Sequence, residues 1–285
     1  MIFYKSVSAG NDFIHIESTG INRSSKADLV KNLCERHSGA GADGVVFYKI
    51  RDDEAGVNFE IFNRDGCEAE LSGNGMAGLS ALLFYLRKFE NRMVLHTKAG
   101  IKRHELLQRK GNAFRLIIEI GAADFSNKAF FPFLKEEKIR YDHQGIMFYP
   151  VSVGNPHVVV ILEKNLSHSD IMALGAKLEN AEIFPQKSNV EFVLRSGEKT
   201  GMNKSGDECP VVYYERGVGH TQSSSTGSAA VFAVLQKLRV IKDRLTIITP
   251  VGKIKIFEKE VICIENFTKI VYKGKYLNYE DLIHD

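Results

Sequence analysis

Asn63-Arg64-Asp65-Gly66, followed by Ser72-Gly73-Asn74-Gly75, has a counterpart in Glu215-Arg216-Gly217-Val218-Gly219, followed by Ser224-Ser225-Thr226-Gly227. The offset is 152 residues throughout: Asn63 falls on Glu215, Ser72 on Ser224, and Thr97-Lys98-Ala99-Gly100 on Thr249-Pro250-Val251-Gly252. A register this long without a gap marks two copies of one structural unit. Each copy sets a serine where a short glycine-containing turn enters an apolar helical stretch. A site assembled from the two copies has two similar half-sites, a geometry suited to chemistry that approaches one atom from both sides.

The bulk numbers agree with two globular domains. The chain has 285 residues, 44% of them apolar and 26% charged, with a net charge of +3. Such a composition supports real cores, and scattered Lys and Arg give no basic stripe of the kind that tracks nucleic acid. No apolar run approaches a membrane span, and Met1-Ile2-Phe3-Tyr4-Lys5 reads as a strand rather than a signal peptide. Cys34, Cys67, Cys209 and Cys263 form no C-x-x-C pair, and the 9 histidines show no H-E-x-x-H spacing, so neither a disulfide framework nor a metal site is implied. A cytoplasmic protein is expected.

Strand-like segments dominate: 2–5, 13–16, 45–50, 57–62, 93–96, 114–120, 147–153, 158–162, 189–194, 211–214, 245–248 and 253–257 are rich in Val, Ile, Phe and Tyr. Helices are expected over 27–36, 76–88, 169–178 and 228–238. The second and fourth are apolar nearly all round, the signature of a helix buried inside its domain. Gly197–Asp207 reads as a hairpin tip or surface loop and Ala122–Lys128 as a linker.

Gly39-Ala40-Gly41-Ala42-Asp43-Gly44 satisfies G-x-G-x-x-G, but a helix precedes it and a strand follows, the reverse of a dinucleotide fingerprint. It is expected to be a loop whose glycines take positive φ. Ser72 and Ser224 are at helix N-cap positions, where a hydroxyl ordinarily accepts a hydrogen bond from a first-turn N–H. Two matched copies suggest more. The N–H groups of Gly73, Asn74, Ser225 and Thr226 sit at helix starts, and two such ends facing each other would trap a carboxylate. Asn11, Asn63, Asn155, Asn189, Glu215 and Arg216 complete an inventory matched to an amino acid: amides and a guanidinium for carboxylates, a glutamate for an ammonium.

These residues resemble the diaminopimelate epimerase family of cofactor-independent amino-acid racemases. The resemblance runs nearly end to end, through G-N-D-F at Gly10–Phe13, G-A-D-G at Gly41–Gly44, N-x-D-G at Asn63–Gly66 and G-N-G at Gly73–Gly75. It continues through G-N-P-H at Gly154–His157, S-N-V at Ser188–Val190, E-R-G-x-G-x-T at Glu215–Thr221 and T-G at Thr226–Gly227. It implies an α/β (α+β) fold of two pseudo-symmetric halves, residues 1–118 plus 264–285 and 119–263, each a curled, largely antiparallel sheet or barrel around a central apolar helix, with the active site in the cleft between them. It also implies a small-molecule amino-acid partner, no cofactor, no nucleic acid, no membrane, and a homodimer as a further expectation. By resemblance, Asn63, Asn155, Asn189 and Arg216 would hold the distal carboxylate end of the substrate and Glu215 the ammonium of the reacting centre. The N–H groups of Gly73, Asn74, Ser225 and Thr226 would cradle the α-carboxylate, and Asn11 would line the pocket.

The departure is at the chemistry. Family members that racemise carry a cysteine at each turn, one thiolate removing the α-proton while the opposite thiol donates to the other face; this chain has Ser72 and Ser224 as its candidate catalytic residues. A serine hydroxyl is a much weaker acid than a thiol, and no neighbouring His or Lys in sequence would activate it. Cys67, five positions before Ser72, is a weak candidate for a substitute base. Ala77 stands where the family usually has Arg, Ser225 where it has Gly, and Gln222-Ser223 where Leu-Ala is common, a breadth that reads as divergence. Three functions stay open: an epimerase of diaminopimelate or a similar amino acid, with proton transfer impaired or altered; a dehydratase or double-bond isomerase of the same superfamily; and a non-catalytic amino-acid-binding protein.

Overall fold

The computed structural model of the chain describes residues 1–18, 21, 26–51, 56–136, 138–164, 166–194 and 208–277. It divides into two compact units, Met1–Glu70 with Gly75–Leu116 and Phe267–Asp285, and Leu71–Asn74 with Ile117–Asn266. The segment expected as a hairpin tip or surface loop, Gly197–Asp207, lies outside the described residues.

The elements of the first part of the chain are β1 (Ile2–Ser8), β2 (Asn11–Glu17), α1 (Lys26–Cys34), β3 (Gly44–Ile50), β4 (Val57–Asn63), β5 (Glu68–Ala69), α2 (Gly73–Tyr85), β6 (Arg92–Thr97), β7 (Gly100–Lys110) and β8 (Ala113–Gly121). The remainder comprises β9 (Tyr141–His143), β10 (Ile146–Ser152), β11 (Pro156–Ile161), α3 (His168–Glu179), β12 (Asn189–Val193), β13 (Glu208–Glu215), β14 (Gly219–Thr221), α4 (Ser225–Lys237), β15 (Arg244–Thr249), β16 (Gly252–Glu258) and β17 (Ile262–Lys275). Every strand and helix expected above is present. The strands without an expectation include the long β7 and β17, which bury Lys102, His104, Asn266 and Thr268 while exposing Ile101, Leu107, Phe267 and Val271, so no apolar alternation marks them.

The internal repeat is written into strand pairing. In the first unit β1 pairs antiparallel with β2, β2 parallel with β3, β3 antiparallel with β4, β4 parallel with β6, and β6 antiparallel with β7. In the second, β10–β11, β11–β12, β12–β13, β13–β15 and β15–β16 follow the same sequence of orientations. The matched T-x-x-G segments make matched turns. Thr97 Oγ1 donates to Gly100 O at 2.7 Å and accepts from Ala99 N at 3.1 Å, while Thr249 Oγ1 donates to Gly252 O at 2.8 Å and accepts from Val251 N at 3.3 Å.

Each unit packs an apolar helix inside its strands. In α2 the side chains of Met76, Ala77, Leu79, Ala81, Leu82 and Leu83 are completely buried, and α4 is buried without a break from Ser225 to Leu235. Strands β10, β11, β12, β15 and β16 all pack on α4. The amphipathic helices lie on other faces. Val30 and Leu33 of α1 join a core with Ile14, Ile16, Val45 and Phe47, and Ile171 and Leu178 of α3 join one with Phe148, Val158, Val190 and Phe192. The expected linker 122–128 belongs to the second unit instead, where Asp124 and Ser152 exchange backbone hydrogen bonds at 2.8 and 2.9 Å. Among the described residues no helix is long and apolar enough to cross a membrane.

Two histidines are enclosed with α2. His15 Nε2 lies 2.7 Å from Ser6 Oγ and His104 Nδ1 lies 2.6 Å from Ser80 Oγ, both pairs fully sheltered from solvent. Burial pushes both imidazoles down to about 3, with Lys102 adding to the effect at His104. The unfolded chain protonates them near pH 6.5 while the folded one does not, so their stability contribution is full above that pH and is lost towards pH 3. Denaturant titration is expected to show stability falling below about pH 6.5 by up to ~1.4 kcal/mol per pH unit for each histidine. Replacing His104→Asn, which keeps a partner for Ser80, is expected to flatten that slope.

Candidate functional site

In the first unit three motifs from distant parts of the chain meet at one end of β2, β3 and β4. Asn11 Nδ2 donates to Asp43 Oδ2 at 3.3 Å, the Asp43 N–H donates to Asp12 O at 2.9 Å, and the Arg64 N–H donates to Asp43 O at 3.1 Å. Arg36 donates to both carboxylate oxygens of Asp12 at 3.0 and 2.9 Å and to Asp43 at 2.8 Å, and Lys5 pairs with Asp12 at 2.9 Å. Burial and the Asp12 carboxylate push Asp43 above the ordinary carboxylate range. Burial acts the same way on Asp12, but hydrogen bonds from Arg36 and Lys5 hold it below that range. The glycine-rich loop ending at Gly44 therefore serves to seat Asp43 beneath Asn11. Of its three glycines only Gly41 takes a positive φ, +68°, whereas Gly39 and Gly44 are required by close backbone approach, a Cβ falling 2.1 Å from Asn32 O and 2.6 Å from Phe62 O. Asn63 ends β4, paired across the ladder with Gly44.

The second unit repeats the arrangement at the ends of β11, β12 and β13. Asn189 Nδ2 donates to Pro156 O at 2.8 Å, and Asn189 Oδ1 accepts from the Arg216 N–H at 3.0 Å. One amide thus ties the start of β11 to the turn after β13, and the second Nδ2 hydrogen remains. Glu215 Oε1 accepts from Thr221 Oγ1 at 2.5 Å, and Arg216 Nη1 donates to Gln186 O at 3.1 Å. Asn155, buried, places Oδ1 3.0 Å from His157 Nε2.

The two serine turns come together within this unit, which includes Leu71–Asn74. Ser225 Oγ donates to Asn74 Oδ1 at 2.7 Å, and Asn266 Nδ2 donates to the same oxygen at 3.1 Å. A Cβ at Gly73 would lie 2.3 Å from Ser225 Cβ, so only glycine admits the approach. Ser224 is the N-cap of α4, with φ −140° and ψ 125°; its Oγ accepts from the Gly227 N–H at 3.1 Å and lies 3.4 Å from Thr226 Oγ1. Ser72 directly precedes α2. The N–H groups of Ser225 and Thr226 fall among the first-turn donors outside the helical ladder, at the positive end of the helix dipole. Such an arrangement can bind a carboxylate and can stabilise negative charge developing beside it.

Ten of the twelve site candidates lie in the second unit, Asn11 and Asn63 being in the first. Cys67 is exposed in the turn after β4, its N–H donating to Asp65 Oδ1 at 2.8 Å. Sequence reasoning gave no role to Asn266, Glu191 or His157. Glu191 carried a signal, an acid in the middle of the apolar run Val190–Val193, whereas Asn266 carried none. Among the described residues no group of three or more His, Cys, Asp or Glu side chains is arranged to hold a metal ion.

The diaminopimelate epimerase family model matches residues 3–126 and 149–276. The chain belongs to the diaminopimelate epimerase family. It is 32% identical over 268 residues to the diaminopimelate epimerase of Methanothermobacter thermautotrophicus, covering 90% of each chain. It is 32% identical over 260 residues to that of Archaeoglobus fulgidus, covering 89% of this chain and 88% of the relative. A solved hydroxyproline epimerase from Agrobacterium vitis superposes with a TM-score of 0.65 over 97% of this chain and 90% of that one at 14% identity, a likeness of fold alone.

The close approach at Gly73 yields a direct test. Gly73→Ala is expected to force the Ser225 turn away, costing about 1–3 kcal/mol of stability as overpacking while breaking the Asn74–Ser225 hydrogen bond. Combining it with Ser225→Gly should restore most of the stability, read by thermal unfolding.

Proposed function

We propose that this protein binds diaminopimelate or a similar amino acid, and that the family's two-base Cα proton transfer is retained in a form weakened by Ser72 and Ser224. The observation that carries this reading is the meeting of the two serine turns, with Gly73 against Ser225 and the Ser225 hydroxyl donating to Asn74 Oδ1. The α-carboxylate would take the N–H groups of Gly73, Asn74, Ser225 and Thr226, and Glu215 would take the ammonium. Asn155, Asn189 and Arg216 would receive the distal end.

The chemistry follows from the hydroxyls. Removing an α-proton needs a base on one face and an acid on the other. Ser224 accepts a hydrogen bond from a helix-end N–H, which favours negative charge on its oxygen, but its other contact is the Thr226 hydroxyl rather than a basic group. Helix-end donors on the carboxylate also acidify the substrate Cα–H, since they stabilise the enolate-like charge that forms. The site is thus equipped to stabilise the carbanion and short of a strong base to create it.

Calorimetry with diaminopimelate is expected to show binding. In D2O, exchange of the bound ligand's Cα proton should be about 10²–10⁴-fold slower than in the Ser72→Cys/Ser224→Cys double variant, the range expected for general acid–base catalysis. Absence of diaminopimelate binding, or a double variant that exchanges no faster than the parent, would contradict the reading.

A further inference from the structure

Behind the start of α4 lies a chain of three side chains. Glu191 Oε1 is 2.8 Å from His157 Nδ1, and His157 Nε2 is 3.0 Å from Asn155 Oδ1. His157 and Glu191 are completely buried, and Asn155 is 6% exposed. The passage for Glu191 is cut into the helix itself: a Cβ on Gly227 would lie 2.6 Å from Glu191 Oε1 and 3.0 Å from the Tyr213 ring. Tyr213 is the neighbouring titratable group, its hydroxyl engaged 2.7 Å from Ser228 Oγ. The second carboxylate oxygen, Glu191 Oε2, is buried without a hydrogen-bond partner.

We propose that Glu191 and His157 are positioning residues that fix the Asn155 side-chain amide, so that its NH2 group faces the ligand and its oxygen faces the imidazole. The argument is one of proton counting. A carboxylate with an imidazole bearing only the Nδ1 proton would leave a whole negative charge buried and uncompensated, which burial strongly disfavours. Adding one proton to the pair removes that charge, and it can be drawn in two ways. Either the imidazole carries both protons beside a carboxylate, or the carboxyl donates to Nδ1 and Nε2 keeps the ring proton. In both forms Nε2 is a donor and must meet an acceptor, so Asn155 turns its oxygen inward. Its Nδ2 then supplies donors on the opposite side, matched to a carboxylate.

The ligand-facing half of this inference rests on the amino-acid reading above; the state of the ring does not. Nitrogen-15 NMR of His157 in the ligand-free protein at neutral pH is expected to show Nε2 protonated, and a bare Nε2 overturns the proposal whatever the ligand. In calorimetry with diaminopimelate, Asn155→Ala and His157→Phe are each expected to weaken binding by about ten- to a hundredfold, with the double variant no weaker than the worse single, because both remove one presented amide. Losses that multiply would overturn the positioning role. If the parent protein fails to bind diaminopimelate, the substrate reading falls while the NMR result still decides the state of the pair.

Discussion

The site depends on a contact between two glycine-bearing turns, Gly73 lying flat against Ser225 with the Ser225 hydroxyl closing on Asn74. Asn74 Oδ1 holds the contact together, accepting from both Ser225 Oγ and Asn266 Nδ2. Serine at position 225 thus acts as an internal tie between the two turns.

The two units solve the same local problem with different chemistry. Each gathers an asparagine and a following turn at the ends of three adjacent strands. The first unit does so with a charged cluster of Asp12, Asp43, Arg36 and Lys5, the second with the neutral brace of Asn189 and the buried Glu191–His157–Asn155 chain.

The repeat itself was legible, because a 152-residue offset in turn residues reflects a backbone requirement. The T-x-x-G segments make the same hydrogen bonds in both places, and only a few residue types can make them. The two central helices were legible for a similar reason, since a surface helix must show a polar face and these show none. The strands β7 and β17 were hidden because their buried faces carry polar residues such as Lys102, His104 and Thr268 while Ile101 and Phe267 are exposed. What pattern could not show was pairing across long distances. Asn266 sits in β17 with no local signal, yet it lies within hydrogen-bonding reach of Asn74, 192 positions earlier. Glu191 was visible as an anomaly in an apolar run, but its meaning required the buried imidazole opposite. The glycine-rich loop at Gly39–Gly44 showed its purpose only when Asp43 was seen beneath Asn11.

A crystal structure with diaminopimelate bound tests the central claim most directly. One ligand carboxylate is expected within about 2.7–3.2 Å of backbone nitrogens drawn from Gly73, Asn74, Ser225 and Thr226, with the Ser72 and Ser224 hydroxyls on opposite faces of the adjoining Cα. A ligand that binds elsewhere, or that presents its ammonium to those nitrogens, would contradict the account.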